Sequence, residues 1–271
     1  MKRIATLPSW TRVAPCAATR AGVGQDARTR IAILASLFVT LAGCKSTAPI
    51  QTARAESRLG KLPACTATTN LGELCRVRVA DLRPTQFGIG FASVEKKQEP
   101  LEKAVSDATR LDTLLEAAPV SIAIGPAGTF YIIGDHTFAR ALWNAKVSDA
   151  SGSVTANFAD LAPAEFWSLL EQKKWYYPFD ESGKGPLPES ALPATLGALN
   201  DDPVQSVADA VREAGGYTLS EEPGATARWL DFFRTHLPAG LAASDLKEAT
   251  KQGLALARSQ DARPLPGFKG D

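Results

Sequence analysis

The chain has 271 residues, a formal charge of +1, 45% hydrophobic and 22% charged residues, a composition that excludes disorder throughout. The neutral total conceals an asymmetry: residues 1–43 hold six basic residues against one acid, Asp26, so the remainder carries 24 basic and 28 acidic residues, or −4. That remainder lacks the basic excess on which nonspecific DNA binding rests, which argues against DNA as a partner, although a local basic patch is compatible with it.

Residues 31–43, IAILASLFVTLAG, form an uncharged run of 13 preceded by Arg28 and Arg30. At about 1.5 Å per residue it spans roughly 20 Å, short of a ~30 Å hydrocarbon core, and reads as the apolar region of a signal peptide. Leu41, Ala42 and Gly43 before Cys44 resemble a bacterial lipobox, which implies removal of 1–43 and lipidation of Cys44. Such a protein sits in the cell envelope, anchored to a membrane and facing the periplasm. Lys45, in place of the aspartate associated with inner-membrane retention, favours the outer membrane. The other reading is a short buried helix opening a cytosolic domain. The thirty residues before the apolar run are long for a signal, and a start at Val23 would leave 21 residues of ordinary proportions.

With Cys16 discarded and Cys44 acylated, Cys65 and Cys75 remain. Two thiols in an oxidising compartment suit a disulfide; the alternative is a pair of free buried cysteines. No CxxC occurs, and His136 and His236 stand 100 positions apart, so no metal framework is visible.

From 44 to about 70 the chain reads as a flexible tether, rich in Ser, Thr, Ala and Gln over its first part. Residues 76–82, RVRVADL, alternate as a strand that Pro84 stops. Residues 95–115 carry apolar side chains at helical spacing, enough for one or two amphipathic helices. Next, 120–125 and 129–134 are β-rich runs joined by Pro126, Ala127 and Gly128, a hairpin pattern. Asp135 stands where it can cap a helix over 137–145, and a last β-type run covers 152–158. A core over 71–160 is then extended by a helical part, 161–271, with helices predicted at 163–174, 202–214, 225–236 and 244–259. A Pro/Gly-rich loop spans 177–193.

The stretch 131–143, YIIGDHTFARALW, ends a strand at Gly134 and opens a helix with Asp135 and His136, with Arg140 one turn on. Helix N-termini attract anions, and His136 and Arg140 share a helix face at four-residue spacing. Together they could grip a phosphate and protonate an oxygen. On the residues alone, a structural strand-turn-helix weighs more.

The order of strand, RPTQ, helical region, hairpin and GDHxxARAL resembles the ParB/sulfiredoxin superfamily, and within it the group of ParB-like nucleases. The motifs stand here as Arg83 to Gln86 with Gly90, Asp135 to Leu142, Phe166 and Trp167, Trp175 to Asp180, Asp201 to Pro203, and Gly215 to Tyr217. The resemblance implies an α+β fold, a small mixed sheet with helices plus a helical C-terminal subdomain. It also implies a phosphate-binding turn of Gly134, His136 and Arg140, with Asp135 beside them and Arg83, Thr85 and Gln86 facing it. The group's second adjacent histidine is Thr137 here. Sulfiredoxin's cysteine and the GERR turn of chromosome-partitioning ParB are both missing.

Lys96 and Lys97 could reach a phosphate, and Glu95 could act as a base, although a charge run is more often a solvated face. Trp175, Tyr176, Tyr177 and Phe179 could stack a nucleobase or pack a core. Trp229, Phe232 and Phe233 read as core, and His236 as a helix-end residue without chemistry. The expectation is a nucleotide or phosphoryl ligand at the turn, used for phosphodiester or phosphoryl-transfer chemistry. In it His136 is a general acid/base with a pKa near ~6.5, and Asp135 orients it or holds a divalent metal with the phosphate. The alternative is a non-catalytic envelope module that binds an anionic ligand or a partner protein.

Overall fold

A computed structural model describes residues 58–270, all within one compact unit. The apolar run, Cys44 and the first part of the tether lie outside the described residues. No helix among the described residues is long and apolar enough to cross a membrane.

The described chain starts as a strap. After a 3-10 turn at Leu59–Lys61, Arg76 donates its N–H to Pro63 O at 2.8 Å and Cys65 donates to Arg76 O at 2.9 Å. These bonds cover the outer side of strand β1, Leu74–Arg78, which would otherwise be an open sheet edge. Cys65 and Cys75 are joined in a disulfide with an S–S distance of 2.07 Å, so the strap is also tied covalently. Replacing both cysteines by alanine is expected to lower the unfolding free energy by about 3 kcal/mol through lost loop closure. Urea unfolding checks this, and an unchanged midpoint would mean that the strap's hydrogen bonds suffice.

A single strand over 76–82 does not form. The chain leaves β1 through a 3-10 turn at Val79–Asp81 and re-enters as β2, Leu82–Arg83. The reason is topological, because β1 and β2 occupy opposite edges of the five-stranded sheet, ordered β1-β6-β4-β5-β2. One straight strand cannot serve both edges. Next comes β3, Gly88–Ile89, followed by α1, Phe91–Ala104, and α2, Ala108–Ala117. At Gly90 a Cβ would lie 2.5 Å from Ser206 Oγ and 2.6 Å from Ser206 N, so only glycine lets α1 start against its neighbour. The expected hairpin is present as β4, Val120–Ile124, and β5, Phe130–Ile132, paired antiparallel with Ile122 opposite Ile132.

Helix α3, His136–Asn144, then leads to β6, Asp149–Asn157, which inserts between β1 (antiparallel) and β4 (parallel). Buried Ile122, Ile124, Ile132, Leu142 and Val154 join the sheet and α3 in one core. The C-terminal part holds α4, Pro163–Gln172, and β7, Asn200–Asp201, the partner of β3 in a second two-stranded sheet. It continues with α5, Pro203–Glu213, α6, Ala225–His236, α7, Leu241–Ser244, and α8, Leu246–Ala257. These last helices form their own core around Trp229, whose ring stacks on Tyr217 at 4.1 Å and whose Nε1 donates to Pro266 O at 2.8 Å. The fold is α+β, a mixed sheet extended by helices.

Candidate functional site

The site grows from the junction of β5 and α3. Asp135 occupies the left-handed region at φ 48°, a conformation that a short polar side chain tolerates. There its Oδ1 caps α3 by accepting from Phe138 N at 3.1 Å, and the same oxygen meets Lys97 Nζ of α1 at 2.5 Å. The cap satisfies one of the first N–H groups of the helix. The N–H groups of His136 and Thr137 find no acceptor among the described residues, so the positive end of α3 is left partly open.

His136 is 6% exposed. Its Nε2 accepts from the backbone N–H of Thr85 at 3.0 Å, and Thr85 Oγ1 donates to Ile132 O at 2.7 Å. Thr85 therefore ties the RPTQ segment to both the histidine and the end of β5. Burial pushes the imidazole down to about 4, opposed only in part by Asp135. The ring is neutral at physiological pH with one nitrogen already engaged, which replaces the expected general acid/base titrating near ~6.5.

A cleft of about 520 Å³ opens beside this turn. One wall is made by Gln86, Lys97 and residues 134–137; facing residues include Trp175, Tyr177 and Phe179, then Gln205 and Arg212 of α5 and the start of α6. Gln86 also braces the entry by donating Nε2 to Gly88 O at 2.8 Å. Lys97 belongs to the site, because α1 packs along α3 and its position brings the ammonium to the turn. Lys96 points elsewhere, to Glu213 at 3.1 Å, and Glu95 is exposed.

Three expected phosphate ligands, Thr85, Arg140 and Arg83, are not on the cleft, and Thr85 is fully buried. Arg140 donates Nη1 to Leu196 O at 2.8 Å and Leu199 O at 3.1 Å, donates Nε to Asn144 at 2.9 Å, and lies 5.0 Å over the Phe91 ring. It clamps the 196–199 turn and α1 to α3. Arg83 donates Nη1 to Ala80 O at 3.1 Å and also stays off the cleft. The aromatic run splits in the same way: Tyr176 is buried among Phe166, Leu170 and Phe87, whereas Trp175, Tyr177 and Phe179 line the cleft.

Behind that wall lies a buried network that sequence reasoning missed. Arg234 Nη2 is paired with Asp202 Oδ2, and Arg234 Nη1 donates to the Tyr177 hydroxyl at 3.0 Å. Asp202 Oδ1 caps α5 by accepting from Val204 N at 3.1 Å and Gln205 N at 3.3 Å. The signal available was the Asp202-Pro203 pair, which marks a helix start but not the arginine that meets it. Asp180, at the end of the Trp175 to Asp180 motif, closes its own loop, accepting from Ser182 N at 2.9 Å and Lys184 N at 2.8 Å.

A divalent metal at Asp135 has little protein to hold it. Among the described residues no group of three His, Cys, Asp or Glu could bind an ion, and the Asp135 oxygen nearest the helix already serves Lys97 and Phe138. The residues present do not form a cation cage.

A family model described as "Putative ParB-like nuclease" matches residues 75–235. The solved structure of protein Atu1540 from Agrobacterium tumefaciens is 33% identical over 73% of this chain and 97% of its own, with a TM-score of 0.65. No curated protein matches. The matched span holds β5, α3, Lys97, Tyr177 and Asp202, and so includes the whole turn.

Proposed function

The chain belongs to the ParB-like nuclease family, and on that premise we propose that the cleft binds a phosphoryl ligand, such as a nucleotide, at the N-terminus of α3. The observation that carries this reading is the pair of N–H groups of His136 and Thr137 without an acceptor among the described residues, on a turn that lines the cleft together with Lys97. A phosphate oxygen there takes both N–H groups and draws Lys97 from Asp135. Trp175, Tyr177 and Phe179 offer flat surfaces for the rest of the ligand. In phosphodiester cleavage, Asp135 would be the group to take a proton from water, because its Oδ2 has no partner among the described residues. His136 then takes no proton and holds the RPTQ segment against the turn.

Binding without turnover is the second reading. It is favoured by the buried neutral His136 and by Thr137 standing in place of a second histidine, so that neither position supplies an imidazolium to the turn. Calorimetric titration of the mature protein with inorganic phosphate and nucleotides tests the site. Lys97→Ala is expected to weaken binding roughly tenfold, the worth of one charge-assisted hydrogen bond, while Arg140→Ala leaves affinity unchanged. The reverse pattern would put the phosphate on Arg140 and sink the proposed geometry. Phosphate binding with no cleavage of a model phosphodiester would select the second reading.

We also propose that the protein is a lipoprotein anchored through Cys44, facing the periplasm from the outer membrane. In a bacterial host, the detergent-extracted mature protein should begin at a diacylated Cys44, and Cys44→Ala should accumulate as precursor. A wild-type product retaining residues 31–43 would remove the anchor.

A further inference from the structure

We infer that His136 presents a fixed Nδ1–H to the cleft, making the turn a set of donors that selects acceptor-only tetrahedral oxyanions; this rests on the phosphoryl-ligand reading of the same turn. The direction of one hydrogen bond decides the tautomer. A backbone N–H can only donate, so the 3.0 Å contact from Thr85 N requires a lone pair on Nε2. The Thr85 hydroxyl does not change this: its hydrogen goes to Ile132 O at 2.7 Å, leaving none for its own 3.2 Å contact with Nε2. A neutral imidazole with a lone pair on Nε2 carries its proton on Nδ1.

Nδ1 is also left unpartnered on a side chain that lines the cleft. Among the described residues, the fully enclosed side-chain polar atoms without a partner are Ser206 Oγ and Arg234 Nε. Nδ1 has no hydrogen-bond partner among the described residues, and His136 lines the cleft. Burial holds the ring neutral, so the donor persists without becoming a second charge. Backbone N–H groups of His136 and Thr137, the Nδ1–H and the Lys97 ammonium then converge as donors. A ligand group without a lone pair, such as an ammonium, would oppose hydrogen to hydrogen there, and a hydroxyl or carboxamide oxygen can accept from only part of the set. An ionised phosphoryl or sulfate group accepts at every oxygen.

Nitrogen NMR of the mature protein labelled in histidine tests this before any ligand is added, with His236→Gln used to assign the two rings. The expected spectrum at neutral pH has a protonated, pyrrole-type Nδ1 and a bare, pyridine-type Nε2 for His136. A protonated Nε2 would overturn the inference whatever the ligand result. Inorganic phosphate and sulfate are then added as probes, each expected to shift Nδ1 saturably. The expected tautomer with no shift from either ion would instead overturn the phosphoryl-ligand reading. His136→Gln separates fold from function, because its Oε1 can still accept from Thr85 N–H while the Nδ1 donor is gone. It should fold like wild type and bind phosphate about tenfold more weakly. A folded His136→Gln protein with undiminished affinity would remove the donor role.

Discussion

Arg234→Ala is expected to cost about 3–5 kcal/mol of stability, because it leaves a carboxylate buried without its countercharge. The Arg234 and Asp202 side chains are 13% and 3% exposed, and the arginine is the cation that reaches this carboxylate. The same guanidinium holds the Tyr177 hydroxyl, and the ideal Cβ of Gly183 would lie 2.8 Å from Arg234 Cδ, so the 180–184 loop rests on the arginine stem. Losing it should loosen the aromatic wall of the cleft as well as α5. Asp202→Asn keeps an acceptor for the α5 cap while removing the charge, so the double variant Arg234→Met with Asp202→Asn should recover part of the loss. Urea unfolding of the three proteins checks this. A single-variant loss below about 1 kcal/mol, the range of exposed pairs, would mean that water compensates Asp202 freely.

Acid should unfold the protein through His136. Its folded value, about 4, lies below the ordinary 6.5, so as pH falls the unfolded chain takes the proton first. The stability from keeping the ring neutral is intact above pH 6.5 and lost as pH falls towards 4, amounting to roughly 3 kcal/mol. Unfolding free energies measured across that window should fall steeply in wild type and much less in His136→Gln, which has no proton to gain. Equal slopes in the two proteins would assign the acid sensitivity to other groups.

Much of this fold is legible in the sequence because its signals are local. Asp135 caps α3 as its spacing promised, the Pro126–Gly128 turn joins β4 to β5, and α6 spans the predicted 225–236. Features that need distant partners were not legible. The split of β1 from β2 depends on which strands occupy the sheet edges, and β3 with β7 is too short to show periodicity. The same division runs through the site. His136 and Arg140 do share a helix spacing, but α3 is buried from His136 through Ala139 and again at Ala141 and Leu142, so its residues answer to different neighbours. His136 meets Thr85, and Arg140 meets the carbonyls of Leu196 and Leu199. Lys97 read as a solvated charge because nothing in its own segment shows that α1 lies along α3.

The most direct measurement is an amide NMR titration of the protein with inorganic phosphate. Saturable shifts centred on the amides of His136 and Thr137, weakened in Lys97→Ala, are the expected result. Unmoved amides at this turn in a folded protein, or shifts centred on Arg140 instead, would contradict a phosphoryl site at the N-terminus of α3.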